Sequence, residues 1–100
     1  MQEFRYDERK SDSNERKHGI SFQEAKAMWN GRTFEFPIKN SIKIYGEMRY
    51  MALGEIDGRP LVAIISYRGG PIRLISVRGP DADEAKLYAD SIQKAQQAAH

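Results

Sequence analysis

Residues 47–77 read EMRYMALGEI-DG-RPLVAIISY-RGGP-IRLISV and have the clearest β pattern in the chain. Three runs rich in apolar and β-branched residues are separated by two short segments that contain glycine. Asp57-Gly58 is typical of a two-residue hairpin turn, and Arg68 to Pro71 is typical of a four-residue turn. The pattern predicts an antiparallel meander with strands at Glu47 to Ile56, Arg59 to Tyr67 and Ile72 to Val77.

The turn lengths determine which residues of neighbouring strands lie opposite each other. A two-residue turn pairs Arg49 with Ser66, and a four-residue turn pairs Ser66 with Arg73. These three side chains then form a row across one sheet face, on strands about 4.8 Å apart. Two guanidinium groups about 10 Å apart with a hydroxyl between them make a candidate anion site.

The same residues leave two alternatives to this row open. A β-bulge would shift the register by one residue and move an arginine to the other face. In the other alternative, the arginines pair with Glu47 and Glu55 or lie exposed on a solvated face. In the simple register, the row shares its face with apolar residues at Met51, Ile64 and Ile75. Two like charges in such a setting call for a compensating anion or acid.

The N-terminal region predicts a short strand and a highly charged helix. Phe4 and Tyr6 alternate with charged residues, as in a strand. Asp7 is a typical N-cap for a helix from Glu8 to His18, and Gly19 is a typical C-cap. Because this helix has almost no apolar residue, it must be held by its ends or by a partner.

A second helix and a strand follow. Ser21 to Glu24 has the Ser-x-x-Glu sequence of a capping box, and Gly31 closes the helix that it opens. The apolar face of this helix carries Phe22, Ala25, Met28 and Trp29. Thr33 to Phe36 reads as a strand that Pro37 ends.

The remaining segments complete a single-domain α+β prediction. Lys39 to Gly46 reads as a basic, polar loop. Pro80 and then Asp81-x-x-Glu84 begin a last helix, whose tail is expected to fray after Gln96. Its apolar stripe consists of Ala85, Tyr88, Ile92 and Ala95. We therefore expect one domain over residues 1–100, with an antiparallel sheet packed by N-terminal helices and a C-terminal helix.

Composition limits the classes of function. The chain has 100 residues, a net charge of +2 and no cysteine, which excludes disulfides and thiolate metal sites. Its apolar runs are too short to span a bilayer and its start does not resemble a secretion signal, so a cytoplasmic location is expected. Arginine supplies 9 of its 16 basic residues, which favours contacts with phosphate or carboxylate. The spacing of His, Asp and Glu predicts no metal site, and no cofactor is expected.

Two sequence blocks resemble a known family. Residues 10–25 fit the pattern K-x3-N-x2-K-H-G-x-S-F-x2-A, and residues 72–78 read IRLISVR. Together with Glu47-x-Arg49-Tyr50, Gly54, Glu84 and Tyr88, this order and spacing resembles the BrnT family, the toxin half of the bacterial BrnT/BrnA toxin–antitoxin pairs. The resemblance covers roughly Phe4 to Tyr88.

The resemblance implies a fold, an activity and partners. Such proteins look like RelE-type ribonucleases, with a compact α+β fold. They cleave RNA without a metal ion and slow translation. A ribbon-helix-helix antitoxin of the BrnA type neutralises them, and the complex represses its own operon, so operator DNA is reached only through the antitoxin.

Metal-free RNA cleavage needs cations, a base and an acid. Arg49, Arg73 and Arg78 suit the cationic role at the phosphorane. The candidates for base or acid are His18, Glu47 and Tyr67. Each has a structural alternative: His18 would cap helix carbonyls, Glu47 would only pair with Arg49, and Tyr67 would lie in the core.

The candidates for RNA binding lie on the charged helix and on the strands. Lys10, Asn14 and Lys17 are spaced to share one helix face, which either binds RNA or is a solvated surface. Ser66 and Ser76 complete the predicted RNA-binding set.

A second functional class stays open, in which the chain only binds its antitoxin and helps to form a repressor. The family usually continues with basic residues after the position of Arg78, whereas this chain has the acidic segment Gly79-Pro80-Asp81-Ala82-Asp83. That segment favours the non-catalytic alternative. Retention of Arg49, Arg73 and His18 favours the ribonuclease.

Overall fold

The computed structural model describes residues 2–67 and 69–98, and its α+β architecture confirms the predicted fold class. The strands are β1 (Phe4–Arg5), β2 (Phe34–Pro37), β3 (Arg49–Ile56), β4 (Arg59–Tyr67) and β5 (Ile72–Arg78). The helices are α1 (Glu8–His18), α2 (Phe22–Ala25), α3 (Ser41–Tyr45) and α4 (Ala82–Ala98), and a 3₁₀ helix at Lys26–Asn30 continues α2.

The sheet has the strand order β1-β5-β4-β3-β2. The pairs β2–β3, β3–β4 and β4–β5 are antiparallel, and β1 runs parallel to β5. The predicted hairpin turn is confirmed, because φ is 50° at Asp57 and 81° at Gly58, the positive values that a type I′ turn requires. Arg68, the first residue of the second predicted turn, lies outside the described residues.

The predicted register of the meander is confirmed for the arginine row. Arg49 pairs with Ser66, and Ser66 pairs with Arg73. A bulge follows on β5, where Ile65 pairs with Leu74 but Ile64 pairs with Ser76. The simple register, which placed Ile75 beside Ile64 on this face, is therefore wrong beyond Leu74, since the bulge takes up Ile75 as an extra residue. Because the bulge lies beyond Ser66, both arginines stay on the same face.

The main core lies on the other face of the sheet, against α2 and the 3₁₀ helix. Its fully buried residues include Phe22, Ala25, Met28, Leu61, Ala63, Ile65, Leu74 and Val77. Gly54 of β3 allows the close approach of the 3₁₀ helix, because a Cβ there would lie 3.2 Å from both Met28 Cε and Thr33 Cγ2. The sequence predicted a single helix that ends at Gly31. In the structure this segment is an α-helix up to Ala25 and a 3₁₀ helix from Lys26 to Asn30.

The C-terminal helix α4 is attached to the opposite side of the sheet. The Tyr88 ring packs edge-on against Phe34 at 6.1 Å, and its hydroxyl donates a hydrogen bond of 2.9 Å to Glu55. No residue of α4 is fully buried. Its described length runs to Ala98, and the fraying expected after Gln96 stays a prediction.

The predicted loop from Lys39 to Gly46 is also wrong, because it contains α3. Residues in the left-handed region bracket this helix, with φ of 62° at Asn40 and 74° at Gly46. Ser41 is buried, and its hydroxyl donates to Ile38 O. A local hydrogen bond from a buried serine thus holds the start of this helix, which has no apolar stripe packed into the core, and this is why its sequence reads as a loop.

The charged helix α1 is held by buried polar side chains. Asn14 Nδ2 donates to Val77 O at 2.8 Å and to Ile20 O at 2.9 Å, while Val77 N–H donates to Asn14 Oδ1 at 3.1 Å. Ser11 Oγ accepts from Phe22 N–H at 2.9 Å. The Asn14 amide therefore pairs with Val77 much as a residue of a neighbouring strand would.

We expect Asn14→Ala to lower the free energy of unfolding by about 2–3 kcal/mol, because it leaves buried backbone groups of Val77 and Ile20 without a partner. Urea denaturation followed by circular dichroism measures the change. Asp12→Ala, at an exposed position of the same helix, is the control and should stay within about 0.5 kcal/mol of the intact chain. Equal stability of the two variants would contradict the role given to Asn14.

Candidate anion-binding site

The Glu47 carboxylate bridges the two arginines of the row that Arg49, Ser66 and Arg73 form at one end of the meander. Glu47 Oε2 accepts from Arg49 Nε at 3.2 Å, and Glu47 Oε1 accepts from Arg73 Nη1 at 3.0 Å. The arginines thus pair with Glu47 as one alternative predicted, whereas Glu55 bonds to Tyr88 on the opposite sheet end. A carboxylate that bridges both guanidinium groups holds them in a fixed orientation.

Ser66 lies between the two arginines and is fully buried. Its Oγ makes no hydrogen bond to any of the described residues. A buried hydroxyl without a partner costs about 1–3 kcal/mol, so the centre of the row retains unused capacity to donate or accept a hydrogen bond.

The row is partly shielded from water. The side chains of Glu47, Arg49 and Arg73 are 10%, 20% and 28% exposed. Arg49 also stacks on Tyr45 of α3, with its Cζ 3.9 Å from the ring centroid. Shielding strengthens the attraction between these cations and a bound anion, because the local dielectric constant is lower than in bulk water.

A groove between α1 and β5 continues from the row. Its first cavity, of about 370 Å³, is lined by Arg5, Lys10 and Arg73, among others. Its second cavity, of about 180 Å³, is lined by Lys10, Ser13, Asn14, Lys17, His18, Ile75 and Ser76. Lys10 and Ile75 border both cavities, so the structure places Lys10, Lys17, His18 and Ser76 in one basic groove that reaches Arg73.

The bulge and the strand spacing set the geometry of this groove. Arg73 and Ser76 are three residues apart on β5, or about 10 Å along the strand. His18, at the end of α1, lines the second cavity, which is the one farther from Arg73. Glu47, in contrast, is hydrogen-bonded to Arg73. Of the three base candidates, Glu47 is the one that contacts the row.

Tyr67 is directed away from the row, because it follows Ser66 directly and adjacent strand residues face opposite sides. Its hydroxyl donates to both carboxylate oxygens of Glu35, at 2.6 and 2.7 Å. Burial, and then the hydrogen bond to Glu35, raises the pKa of Tyr67 above its ordinary value of 10.0. A hydroxyl with this raised pKa is poorly suited to accept a proton from RNA.

Arg78 is also separate from the row, at the other end of β5. It forms a two-pronged ion pair with Glu84 of α4, at 2.6 and 2.9 Å. Asp81 and Glu84 cap α4 reciprocally, since each backbone N–H donates to the other's carboxylate. The acidic segment after Arg78 therefore begins a helix and does not lie beside Arg49 or Arg73.

Two contributors to the site were missed by sequence reasoning. Tyr45 lies in the segment predicted as a loop, and nothing in its local pattern indicates a stack with Arg49. Arg5 lines the first cavity because β1 runs parallel to β5, with Arg5 opposite Arg73. The alternation around Phe4 predicted the strand, but a strand of two residues carries no signal for its partner.

Residues 2–67 and 69–98 contain no group of three or more His, Asp or Glu side chains arranged to hold a metal ion. Nor does any helix in this part of the chain have the length and apolar character to cross a bilayer. The row and the groove bring together cations, a bridging carboxylate and hydroxyls, and this combination suits a phosphate ligand.

The family model described as "Ribonuclease toxin, BrnT, of type II toxin-antitoxin system" matches residues 6–84. The chain belongs to the BrnT family. No curated protein matches it. The matched region of this BrnT-family chain runs from Tyr6 to Glu84, so it includes α1, the whole meander and both ends of the Arg78–Glu84 pair. As a member of a type II toxin family, the chain has an antitoxin as its partner and RNA as its target.

The Arg78–Glu84 pair predicts a defined dependence of stability on pH. The hydrogen bond from Arg78, and then that from the Asp81 N–H, lower the pKa of Glu84 below its ordinary value of 4.5. Its contribution to stability is therefore complete above pH 4.5 and is lost as the pH falls through the lowered pKa. We expect Glu84→Gln to be less stable than the intact chain at pH 7 and to lose less stability on acidification.

Urea denaturation at several pH values between 7 and 3 measures this difference. Glu8→Gln, at an exposed position in the first turn of α1, is the matched control. Parallel stability curves for the intact chain and Glu84→Gln would show that Arg78 does not hold Glu84 in its charged form.

Proposed function

We propose that this chain is a metal-independent endoribonuclease that acts in the bacterial cytoplasm and slows translation. A ribbon-helix-helix antitoxin of the BrnA type neutralises it, and their complex represses its own operon, with operator DNA bound only through the antitoxin. The observation that carries the ribonuclease proposal is the row of Arg49, Ser66 and Arg73 bridged by Glu47, which opens into a basic groove.

The row is well suited to hold the scissile phosphate. Each guanidinium group has five N–H donors in a planar fork, which matches phosphate oxygens. The bonds to Glu47 engage Nε of Arg49 and Nη1 of Arg73, so other donors of both groups remain for a phosphate between them. Ser66 Oγ supplies a hydroxyl at the centre of the row.

The proposed reaction is an internal attack on the phosphodiester. The 2′-oxygen of the ribose forms a bond to phosphorus while the bond from phosphorus to the 5′-oxygen breaks. The products are a 2′,3′-cyclic phosphate and a 5′-hydroxyl. Arg49 and Arg73 stabilise the additional negative charge on the phosphorane oxygens, which is the largest contribution that such a site makes.

Glu47 is the base in this proposal, because it contacts both arginines and hence adjoins the phosphate between them. Its carboxylate takes the 2′-hydroxyl proton, and the departing 5′-oxygen takes a proton from a water molecule. The hydroxide that remains recovers the proton from Glu47, which returns the site to its starting state. The Arg73 side chain is 28% exposed, so water reaches the row. His18, Lys10 and Lys17 bind the RNA strand along the groove. Asn14, with its amide bonded to backbone groups, positions α1 beside that groove.

The non-catalytic alternative loses the observation that favoured it. The acidic segment after Arg78 is engaged at the start of α4 and leaves the charge of the row unchanged. A cleavage assay decides between the two functions.

We expect the purified chain to cleave single-stranded RNA in the presence of EDTA and to leave 2′,3′-cyclic phosphate and 5′-hydroxyl ends, as identified by mass spectrometry. Arg73→Ala should lower kcat/KM by about 10²- to 10³-fold, because one donor to the phosphorane is lost. Arg32→Ala is the matched control, since Arg32 is exposed and lies near Glu55, at the other end of β3.

Failure of the intact chain to cut RNA under these conditions would refute the ribonuclease proposal and leave the antitoxin-binding module. Equal losses for Arg73→Ala and Arg32→Ala would show that cleavage does not depend on the row.

The groove predicts a change in salt dependence. In single strands each phosphate contact adds about 0.7 to the slope of log K against log salt concentration. Removing Lys10 and Lys17 together should lower the slope by about 1.4. Binding of a fluorescent 2′-O-methyl RNA, which resists cleavage, at several KCl concentrations measures it. The control is the double variant Lys86→Ala and Lys94→Ala, on α4, which should leave the slope unchanged. If this variant changed the slope as much as the loss of Lys10 and Lys17, the RNA would not bind specifically along the groove.

A further inference from the structure

The short helix α3 presents unusually apolar surface. Ile42, Ile44 and Tyr45 are 66%, 63% and 47% exposed, and they are three of the four exposed large hydrophobic side chains in the described part of the chain. Ser41 is the one buried residue of this helix. Exposed apolar groups next to a charged site are typical of a binding surface.

Tyr45 is the member of this group that is joined to the arginine row. One face of its ring is covered by the Arg49 guanidinium group, whose Cζ lies 3.9 Å from the ring centroid. Arg49 is in turn fixed by Glu47 at 3.2 Å. The ring nevertheless keeps 47% exposure, which is what a tyrosine covered on one face and open on the other would show.

We propose that Tyr45 is a base-stacking subsite, which holds an unpaired nucleobase of single-stranded RNA beside the phosphate bound by Arg49 and Arg73. This inference rests on the proposed ribonuclease function and adds the part of the substrate that the row does not contact. Proteins commonly bind single-stranded RNA by stacking its bases on aromatic side chains next to a basic track.

The arrangement around Tyr45 fits a nucleotide better than a protein segment. A nucleotide presents a flat base and a phosphate a short distance apart, and here a flat ring is in direct contact with the guanidinium group of Arg49. Lys39, shortly before α3, and Lys43, within α3, are both exposed, which adds positive charge for the backbone of the RNA strand. A purely apolar docking surface would not need this stack with Arg49.

Stacking on Tyr45 also implies a preference among RNA structures. Every base has a π-face, so stacking is tolerant of sequence, but a base within a duplex cannot turn out to reach the ring without breaking its pair. The subsite therefore selects unpaired RNA over duplex RNA and leaves sequence preference to other contacts.

The test combines two changes, one in the protein and one in the substrate. Tyr45→Ala and Tyr45→Phe are compared on a single-stranded RNA oligonucleotide and on oligonucleotides with an abasic nucleotide next to the cleaved bond, on either side. Tyr45→Ala should lower kcat/KM by roughly 5- to 150-fold on the intact substrate, the range for loss of one stacked base. Tyr45→Phe should retain activity, because it keeps the ring.

The abasic substrate separates stacking from an indirect effect on Arg49. For one of the two abasic positions, the intact chain should show a loss like that of Tyr45→Ala, and the variant should lose little further. If Tyr45→Ala acted only by releasing Arg49, it would reduce cleavage of the abasic substrates by the same factor, and the inference would be overturned. Unchanged kcat/KM for Tyr45→Ala on intact RNA would also overturn it and assign the α3 surface to protein contacts.

A binding measurement distinguishes failure of this inference from failure of the ribonuclease proposal. An RNA that carries 2-aminopurine at the stacking position should lose fluorescence on binding to the intact chain and to Tyr45→Phe, but not to Tyr45→Ala. This result can be obtained even if no RNA is cut. Ile42→Ser, on the same helix, is the control and should leave quenching unchanged; equal quenching by the intact chain and Tyr45→Ala would contradict the subsite.

Discussion

The tight turn at Asp57 and Gly58 determines the arrangement of the functional side chains. Positive φ at both residues produces a hairpin with only one pairing of β3 and β4, so that Arg49 lies opposite Ser66. A slip of one residue would exchange the two faces of a strand and would separate the arginines. The bulge at Ile75 does not disturb this order, because it lies on the far side of Ser66 from the turn between β4 and β5.

Because successive side chains of a strand point to opposite faces of the sheet, the register also determines which charged groups meet. Ser66 faces the arginine row and Tyr67 faces Glu35, so two neighbouring residues serve different surfaces. The arginines of β3 and β5 also differ in their carboxylate partners. Arg78 pairs with Glu84 at the start of α4, whereas Arg49 and Arg73 share the Glu47 carboxylate.

Local patterns predicted much of the fold. The turn at Asp57-Gly58, the register of the arginine row and the cap at Ser21 depend on short-range chemistry and could be derived from the sequence. The helix α3 could not, because the burial of Ser41 depends on tertiary contacts. The bulge at Ile75 and the parallel pairing of β1 also depend on contacts distant in sequence.

The candidate site was predicted in outline. Its row was predicted from turn lengths, and Glu47 was considered both as base and as partner. The separation of Tyr67 and Arg78 from the row was not foreseen, because it depends on which face and which end of a strand each side chain occupies. The polar character of α1 indicated a need for a partner, and that partner is the backbone of β5, reached by Asn14.

The bond between Asn14 and Val77 has a consequence for solubility. The outer edge of β5 is paired with β1 at Ile72 and Arg73, distorted at Ile75, and occupied by the Asn14 amide at Val77. An uncovered edge of this kind would offer a template to a second molecule and promote aggregation. Asn14 therefore opposes the addition of a strand from a second molecule along the outer edge of β5.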